Sequence, residues 1–521
     1  MTDAAQDAVI AFFADPRTHG LAAEADQVSH IRTHISDVIL AGGLAYKVKR
    51  AVRFSFVDLT ALASRHAACE AEIRLNRRTA PDLYLGVVAV RRGADGRFSL
   101  DHLEAPGKGE VVEWAVVMRR FDPGQTFDRI AGRGELAEES IAQLVDSIVA
   151  LHEMAERRGA PFGGAGALDR IIDENAVDMA TQPGTVDPAE VEALVRALKA
   201  ALAAQATYLD ARRAAGRVRQ CHGDLHLGNV VLWQGRPTLF DCIEFSETIA
   251  VIDVFYDFAF LLMDLDFHGL TALANRALSR YIGRTGDAAA LAVLPLMLAL
   301  RASVRAKVNV LALAGATDAA ARAGEAAARR YLAAARNFIA PAPPARLMAI
   351  GGLSGSGKTT LARTLAPGLG RAPGALHLRS DLIRKRLAGV LPEARLAAES
   401  YTPEASAEVY ATLMAEAEAA LRAGQWVIAD AVFAKPEERA AVEAVAARAG
   451  AAFQGVWLEA PAEVMTGRVA ARSGDASDAT AEVVAQQMGI ETGDITWARF
   501  TNAGGPAAVA EGILALLRPA P

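Results

Sequence analysis

A chain of 521 residues with 52% hydrophobic and 22% charged side chains is too long for one core and too apolar to be disordered, so two to four domains are expected. A net charge of −6 argues against a broad nucleic-acid-binding surface, and three cysteines (Cys69, Cys221, Cys242) argue against a disulfide framework and for a reducing cytosol. No basic segment followed by an apolar core opens the chain, and the longest apolar run, 288–300, contains Pro295 and is too short to span a bilayer. The expectation is a cytoplasmic protein without membrane association, with that run as a buried helix.

In chain order, residues 28–60 and 84–118 read as strands and turns, with THISDVIL, AYKVKRAVRFSF, YLGVVAV and VVEWAVVM as the strand-like runs. Residues 61–78 between them have helical spacing. After MRRFDPGQ (118–125) the chain is mostly helical. This predicts a strand-rich small lobe over about 1–120, a hinge, and a helical large lobe over about 121–340. An alanine-rich helical tract near 317–338 gives way to Pro341, Pro343 and Pro344. These cannot continue a helix and stiffen the chain, so 341–346 reads as a linker. From 347 to 521, short apolar strands alternate with amphipathic helices, as in a parallel α/β sheet.

The stretch CHGDLHLGNVVLW, 221–233, crowds ligand-type side chains into one loop. VVLW then QGRP then TLF reads as strand, turn and return strand. An antiparallel hairpin sets its open ends side by side, which brings Asn229 and Asp241 together with Asp224 on the loop leading in. These hard oxygen donors suit Mg²⁺ rather than zinc. A zinc site from Cys221, His222, His226 and Cys242 would need four converging ligands without CxxC spacing. A polar loop of purely structural role is the remaining alternative. A carboxylate five residues before a metal-binding Asn, with a later Asp on the metal, is the arrangement that protein kinases use. HGDLHLGN followed by LFDCIEF resembles the aminoglycoside phosphotransferase branch of the protein-kinase-like fold. The resemblance implies Asp224 as catalytic base, Asn229 and Asp241 as metal ligands, and His222 as a residue that orders the loop. It also implies Lys47 of AYKVKR as the lysine that reaches the α- and β-phosphates, with Glu72 as its ion-pair partner and Glu70 as the alternative. Asp253 and Asp257, in DVFYDFAFLLMD, take structural roles. No GxGxxG precedes Lys47; the glycines there are Gly42 and Gly43. His226 is expected to be packed or hydrogen-bonded, and Cys221 and Cys242 to be core residues.

The second site is LMAIGGLSGSGKTTLART, 347–364: an apolar strand, a GxxxxGK[ST] or Walker A pattern, and a helix. Gly352, Leu353, Ser354, Gly355, Ser356, Gly357, Lys358, Thr359 and Thr360 form the expected phosphate cradle. Its glycines let backbone N–H groups wrap phosphate, Lys358 reaches the β- and γ-phosphates, and Thr359 binds Mg²⁺. Downstream, one strand ends at Ser380-Asp381 with Arg384 a helical turn later, and another ends at Asp430. Arg468 and Arg472 are spaced four apart, as on one helix face. The layout resembles small P-loop kinases of the gluconate kinase, polynucleotide kinase and zeta-toxin group. That implies Asp381 as acceptor-side base, Arg384 as substrate ligand, Arg468 and Arg472 as lid arginines, and Asp430 in the metal shell or on the acceptor side. A surface salt bridge is the rival for each of these residues taken alone.

The fold class expected is therefore multidomain α/β and α+β. A bilobal protein-kinase-like fold is followed by a P-loop NTPase with a three-layer α/β/α parallel sheet, as in bifunctional aminoglycoside phosphotransferase/ATP-binding proteins. The function expected is two ATP- and Mg²⁺-dependent transfers of the γ-phosphoryl group to small-molecule hydroxyls, with a polynucleotide acceptor disfavoured by the missing basic, aromatic-rich strip. One half acting as a nucleotide sensor, and a non-enzymatic partner protein, are the alternatives.

Overall fold

The computed structural model describes residues 3–21, 28–54, 57–103, 105–182, 184–313, 318–471 and 476–517. Helix α1 (Asp3–Ala14) precedes strands β1 (Val28–Arg32), β2 (Ser36–Ala41), β3 (Leu44–Lys49), β4 (Arg53–Phe54) and β5 (Val57–Asp58). Helix α2 (Leu62–Asn76) follows, then β6 (Tyr84–Arg92), β7 (Phe98–Leu100) and β8 (Glu110–Arg119). The helical part runs α3 (Phe127–Gly132), α4 (Glu138–Met154), α5 (Gly164–Met179) and α6 (Pro188–Ala214). The chain continues through β9 (Val218–Gln220), β10 (Val230–Trp233), β11 (Arg236–Leu239), α7 (Glu247–Ala250) and β12 (Val251–Asp253). Helices α8 (Val254–Phe267), α9 (Thr271–Thr285), α10 (Leu294–Ala312) and α11 (Asp318–Ile339) complete this part. Then come β13 (Arg346–Gly351), α12 (Lys358–Leu365), β14 (Leu376–Arg379), α13 (Ser380–Leu387), α14 (Pro403–Arg422) and β15 (Val427–Asp430). The last elements are α15 (Pro436–Arg448), β16 (Ala452–Glu459), α16 (Ala462–Ala470), α17 (Ala481–Met488), β17 (Ala498–Thr501) and α18 (Pro506–Leu517).

The chain forms two compact units: residues 1–167 with 210–258, and 168–209 with 259–521. In the first, an antiparallel sheet of order β1-β2-β3-β8-β6-β7 is covered on both faces. Strand alternation sends Ile39, Tyr46, Val48, Val88 and Val117 to one face, where Val9, Ile10 and Phe13 of α1 pack on them. It sends Ala45, Val116 and Met118 to the other, against Cys69 and Ile73 of α2. Each buried Val, Ile, Phe or Met among these contributes roughly 1.5–3 kcal/mol of burial free energy.

The strand-like runs are broken more often than the sequence pattern suggests. THISDVIL is split, because the Thr33 hydroxyl accepts from Ser36 N at 3.0 Å and turns the chain between β1 and β2. The β10–β11 turn is Gln234-Gly235 alone, both with positive φ (50° and 77°), the geometry of a tight hairpin. The return strand therefore starts at Arg236 and includes Pro237, rather than following a QGRP turn. The apolar run 288–300 is a 3₁₀ turn (Ala288–Ala292) followed by α10, with Pro295 in its first turn, where no N–H is needed. No helix among the described residues is long and apolar enough to cross a membrane.

The second unit holds a five-stranded parallel sheet of order β14-β15-β13-β16-β17. Its central strands β13 and β15 are near-continuous apolar runs because both faces are buried: β13 buries every residue after Arg346, and β15 buries all four of its residues. Leu361, Ala362 and Leu365 of α12 and Val509, Ala510 and Ile513 of α18 pack on Met348, Ile350, Ile428 and Val456. Helices α14 and α15 pair with each other and also pack on the sheet. The proline segment before β13 is extended, and Trp426 Nε1 donates to Pro344 O at 2.9 Å.

Candidate active sites

The first site is assembled from β3, α2 and the loops around the β10–β11 hairpin. Phe240 N donates to Asn229 O at 3.1 Å and closes the open end of the hairpin, so Asn229 and Asp241 become neighbours as the spacing predicts. Asn229 Nδ2 donates to Asp224 O and to Asp224 Oδ2, both at 2.9 Å. His226 Nε2 lies 3.3 Å from the same Oδ2, so this histidine touches the expected base directly. The loop is held from beneath by Asp257, which accepts from His222 N (3.0 Å) and Gly223 N (2.9 Å), with His152 Nε2 at 3.2 Å. Asp253 is a structural partner as well, paired with Arg212 at 2.7 Å. His222 orders the loop from its other side through Nε2 and Phe240 O at 3.0 Å.

Lys47 joins the cluster as expected. Its Nζ lies 2.8 Å from Glu72 Oε1 and 2.5 Å from Asp241 Oδ1. Glu70 is turned outward, 60% exposed, near His66, which settles the choice of partner in favour of Glu72. The sequence reading did not include Lys49 and Glu244. Lys49 is fully buried and pairs with Glu72 Oε2 at 2.5 Å and with Glu244. The signal was present in strand alternation, since residues 47 and 49 share a face of β3. Burial pushes the Lys47 ammonium down, but the Asp241 and Glu72 carboxylates outweigh it and hold it well above its ordinary value. Burial likewise pushes Asp241 up, and Lys47 outweighs it, so Asp241 stays ionised. Glu244 goes the other way: burial dominates and raises it.

Asp241 keeps 43% of its side chain exposed, so its carboxylate has an edge open to a ligand. With Asn229 it offers the hard oxygen donors that suit Mg²⁺. Zinc does not fit. Burial pushes the Cys242 thiol up to about 12, and Cys221 and Cys242 hydrogen-bond to Ile252 O and Cys221 O as core residues.

The second site is the loop between β13 and α12. Gly352, Gly355 and Gly357 have φ of 139°, 84° and 98°, and a Cβ on them would meet Leu458 O, Met465 O and Asn502 Nδ2 at 2.3–2.4 Å. Leu353, Ser354 and Ser356 lie between these glycines, and Thr360 is exposed in the first turn of α12. Lys358 Nζ folds back onto Gly352 O (2.7 Å) and Leu353 O (3.0 Å). Thr359 Oγ1 donates to Asp430 Oδ2 at 2.7 Å, which pairs the two expected metal-side residues. Asp430 is buried, a cost that the His377 hydrogen bond at 3.1 Å and the charges around it overcome, so it stays strongly acidic. Hydroxyl and carboxylate oxygens side by side at a loop-to-helix junction fit Mg²⁺.

Arg468 reaches this loop, donating to Asn502 O at 3.0 Å and to Gly355 O and Ser356 O at 3.4 Å. Arg472 lies outside the described residues; α16 ends at Ala470. Asn502 and Gln487 were not read from the sequence. Asn502 Nδ2 donates to Ser356 O at 2.9 Å, and Gln487 Oε1 accepts from Ser354 N at 2.8 Å. Their separation of more than a hundred residues from the loop leaves no local signal. The strand expected to end at Ser380-Asp381 ends at Arg379, and Asp381 stands in the first turn of α13. Arg384, expected as a substrate ligand, donates to Ser400 O at 2.6 Å and stacks on Tyr401. Tyr401 OH in turn donates to Asp478 Oδ2 at 2.6 Å, and Lys385 Nζ lies 2.5 Å from the same oxygen.

Fold and sites together define a two-domain protein of the phosphotransferase class: a kinase-like phosphotransferase domain followed by a P-loop kinase-like domain. Residues 46–294 match the phosphotransferase enzyme family, and residues 347–490 match an AAA domain. Uncharacterized proteins of Mycobacterium tuberculosis (strain ATCC 25618 / H37Rv) and Mycobacterium bovis are each 31% identical over 480 residues, covering 91% of this chain and 92% of theirs. The chain belongs to the family of these proteins. Among solved structures it is similar to a choline/ethanolamine kinase family protein from Mesorhizobium loti (18% identity, 64% of this chain and 99% of that one, TM-score 0.36). It is also similar to an aminoglycoside phosphotransferase from Streptomyces rimosus (18%, 52% and 91%, TM-score 0.34). A sugar kinase from Janibacter sp. matches at 21% identity over 34% of this chain and 95% of that one, with TM-score 0.26.

Proposed function

We propose that the protein is a bifunctional cytoplasmic kinase, each half of which transfers the γ-phosphoryl group of Mg·ATP to a hydroxyl of a small acceptor. The observation that carries this reading is the presence of two separate sets of a lysine beside metal-type oxygens: Lys47 with Asn229 and Asp241, and Lys358 with Thr359 and Asp430. In the first half, Asp224 accepts the proton of the attacking hydroxyl while Asn229 and His226 hold its carboxylate. Asn229 and Asp241 would hold Mg²⁺, and Lys47 moves from Asp241 to the α- and β-phosphates. In the second half, the loop from Gly352 to Thr359 cradles the phosphates, Thr359 and Asp430 would hold Mg²⁺, Asp381 takes the acceptor proton, and Arg384 binds the acceptor once released from Ser400. Arg468 and Arg472 neutralise charge on the transferring group. When bound, Mg²⁺ draws negative charge from the β- and γ-phosphate oxygens. In each half the acceptor oxygen bonds to Pγ, the Pγ–O bond to the β-phosphate breaks, and ADP leaves.

A second reading makes the first half a nucleotide sensor. Its support is the direct Lys47–Asp241 pair together with the missing glycine-rich loop ahead of Lys47. The two readings separate in a metabolite-pool screen with labelled ATP, run on the wild type and on the Asp224→Ala and Lys358→Ala variants of the full chain. The bifunctional reading expects two labelled product classes, one lost in each variant. The sensor reading expects nucleotide binding without turnover in Lys358→Ala. Unchanged ATP turnover in both variants would contradict both.

A further inference from the structure

Helix α9 lies in the sequence before the proline linker, yet it packs along the outer edge of β14, the edge strand of the parallel sheet. Such an edge presents unpaired N–H and C=O groups. Here α9 covers them. Asn275 Nδ2 donates to Ala375 O at 2.8 Å, and His377 N donates to Ser279 Oγ at 3.2 Å, both buried. At the other end of α9, Arg386 of α13 donates to Ile282 O (3.2 Å) and Gly283 O (2.9 Å) and pairs with Glu416 of α14. A guanidinium at a helix C-terminus is favoured by the partial negative charge there. Arg280 of α9 adds an ion pair to Glu393 at 2.9 Å.

The strand held in this way carries a side chain that reaches the phosphate loop. His377 faces Ile428 in the β14–β15 register, so Asp430, two residues on, shares its face of the sheet. The imidazole Nε2 lies 3.1 Å from Asp430 Oδ2, the oxygen that also accepts from Thr359 Oγ1 at 2.7 Å. Both bonds fall on Oδ2, which leaves Oδ1 for a ligand. A continuous chain of contacts thus runs from Ser279 through the backbone and ring of His377 to Asp430 and Thr359.

We propose that Ser279 and His377 are positioning residues of the second phosphate site. Helix α9 pins the edge strand, the edge strand aims the imidazole, and the imidazole fixes the Asp430 carboxylate in the orientation that Mg²⁺ needs. This rests on the reading of Thr359 and Asp430 as the Mg²⁺-holding pair. It makes the P-loop site depend on a helix that the sequence assigns to the preceding half.

The test uses the full chain and follows ATP binding by calorimetry at increasing Mg²⁺, reading the component that Lys358→Ala removes. Loss of a hydrogen-bond partner behind a metal ligand weakens metal affinity by about 10–100-fold, so His377→Ala is expected to raise the half-saturating Mg²⁺ concentration by about tenfold, with Mg²⁺-free ATP binding within about twofold of wild type. His377→Gln, which keeps an N–H donor at the same reach, restores most of the loss. Ser279→Ala shifts the Mg²⁺ dependence in the same direction by a smaller factor. An unchanged Mg²⁺ dependence in both alanine variants overturns the proposal. So does a parallel loss of ATP binding with and without Mg²⁺, which would make the contacts merely structural. If Lys358→Ala removes no binding component, the nucleotide reading of this loop fails first, and the proposal falls with it.

Discussion

Asp241 sits at φ 60°, a backbone conformation that non-glycine residues rarely adopt and that costs of order 1–3 kcal/mol. The strain is held in place by Tyr84 OH, which accepts from Asp241 N at 3.0 Å, and by Asn76 Oδ1, which accepts from Cys242 N at 2.8 Å. It turns the carboxylate toward Lys47. Behind it, Lys49 is buried with no role at a phosphate; its place is between Glu72 and Glu244. Removing one partner from a buried charge network leaves an uncompensated charge, so Lys49→Met is expected to cost about 3–5 kcal/mol in urea unfolding. The double variant Lys49→Met/Glu244→Leu is expected to recover part of that loss. A double variant as unstable as the sum of the two singles would contradict the pairing.

His222 gives a second residue-scale prediction. It is fully buried, and burial pushes its imidazole below the ordinary value of 6.5 against the charges of Asp257 and Asp224. Between the lowered folded value and 6.5 the unfolded chain binds a proton that the folded chain does not. Stability therefore rises with pH through that window and is lost on acidification. The stability difference between wild type and His222→Gln is expected to change there with a slope of up to about 1.4 kcal/mol per pH unit. Parallel pH profiles for the two proteins would count against a neutral buried ring.

At the scale of elements, the hairpin β10–β11 and the loop before α12 do the placing. Both were legible in the sequence because each is local. A short turn between apolar runs fixes which ends meet, although its length was read as four residues where the hairpin uses two, and glycines at fixed offsets mark where the backbone takes up positive φ. At Gly355 an added Cβ would stand 2.4 Å from Met465 O, a backbone atom with no freedom to withdraw. Gly355→Ala is expected to abolish ATP binding at this loop while the first half keeps its own nucleotide binding, a split that calorimetry can resolve. Loss at both sites would mean that the substitution unfolds the chain instead. The contacts that complete the sites were not legible. Asn502, Gln487 and Glu244 act across 133 to 195 residues of sequence, and no period or motif connects them to their partners; Lys49 alone had a local signal, the alternation it shares with Lys47. Helix α1 escaped the reading for a similar reason: its Val9, Ile10 and Phe13 stripe acquires meaning only when the sheet beneath it exists. The contacts that Arg384 makes with Ser400 and Tyr401 were not legible either, since a one-turn offset from Asp381 says nothing about a loop folding over it from residue 400.

At the scale of the whole molecule, the linker at 341–346 is a change of composition more than a break in packing. Residues 259–340 belong to the same compact unit as the parallel sheet, and α9 lies on that sheet's edge. The kinase-like half and the P-loop half thus share structure in this chain, which suits a protein whose mycobacterial relatives carry the same span over 92% of their length. Two phosphate sites on one chain are the central claim. The measurement that tests it most directly is product-resolved phosphoryl transfer from γ-labelled ATP by wild type, Asp224→Ala and Lys358→Ala. Two labelled products, each lost in one variant and retained in the other, is the expected result. A single product that disappears in both variants, or turnover indifferent to both substitutions, would contradict it.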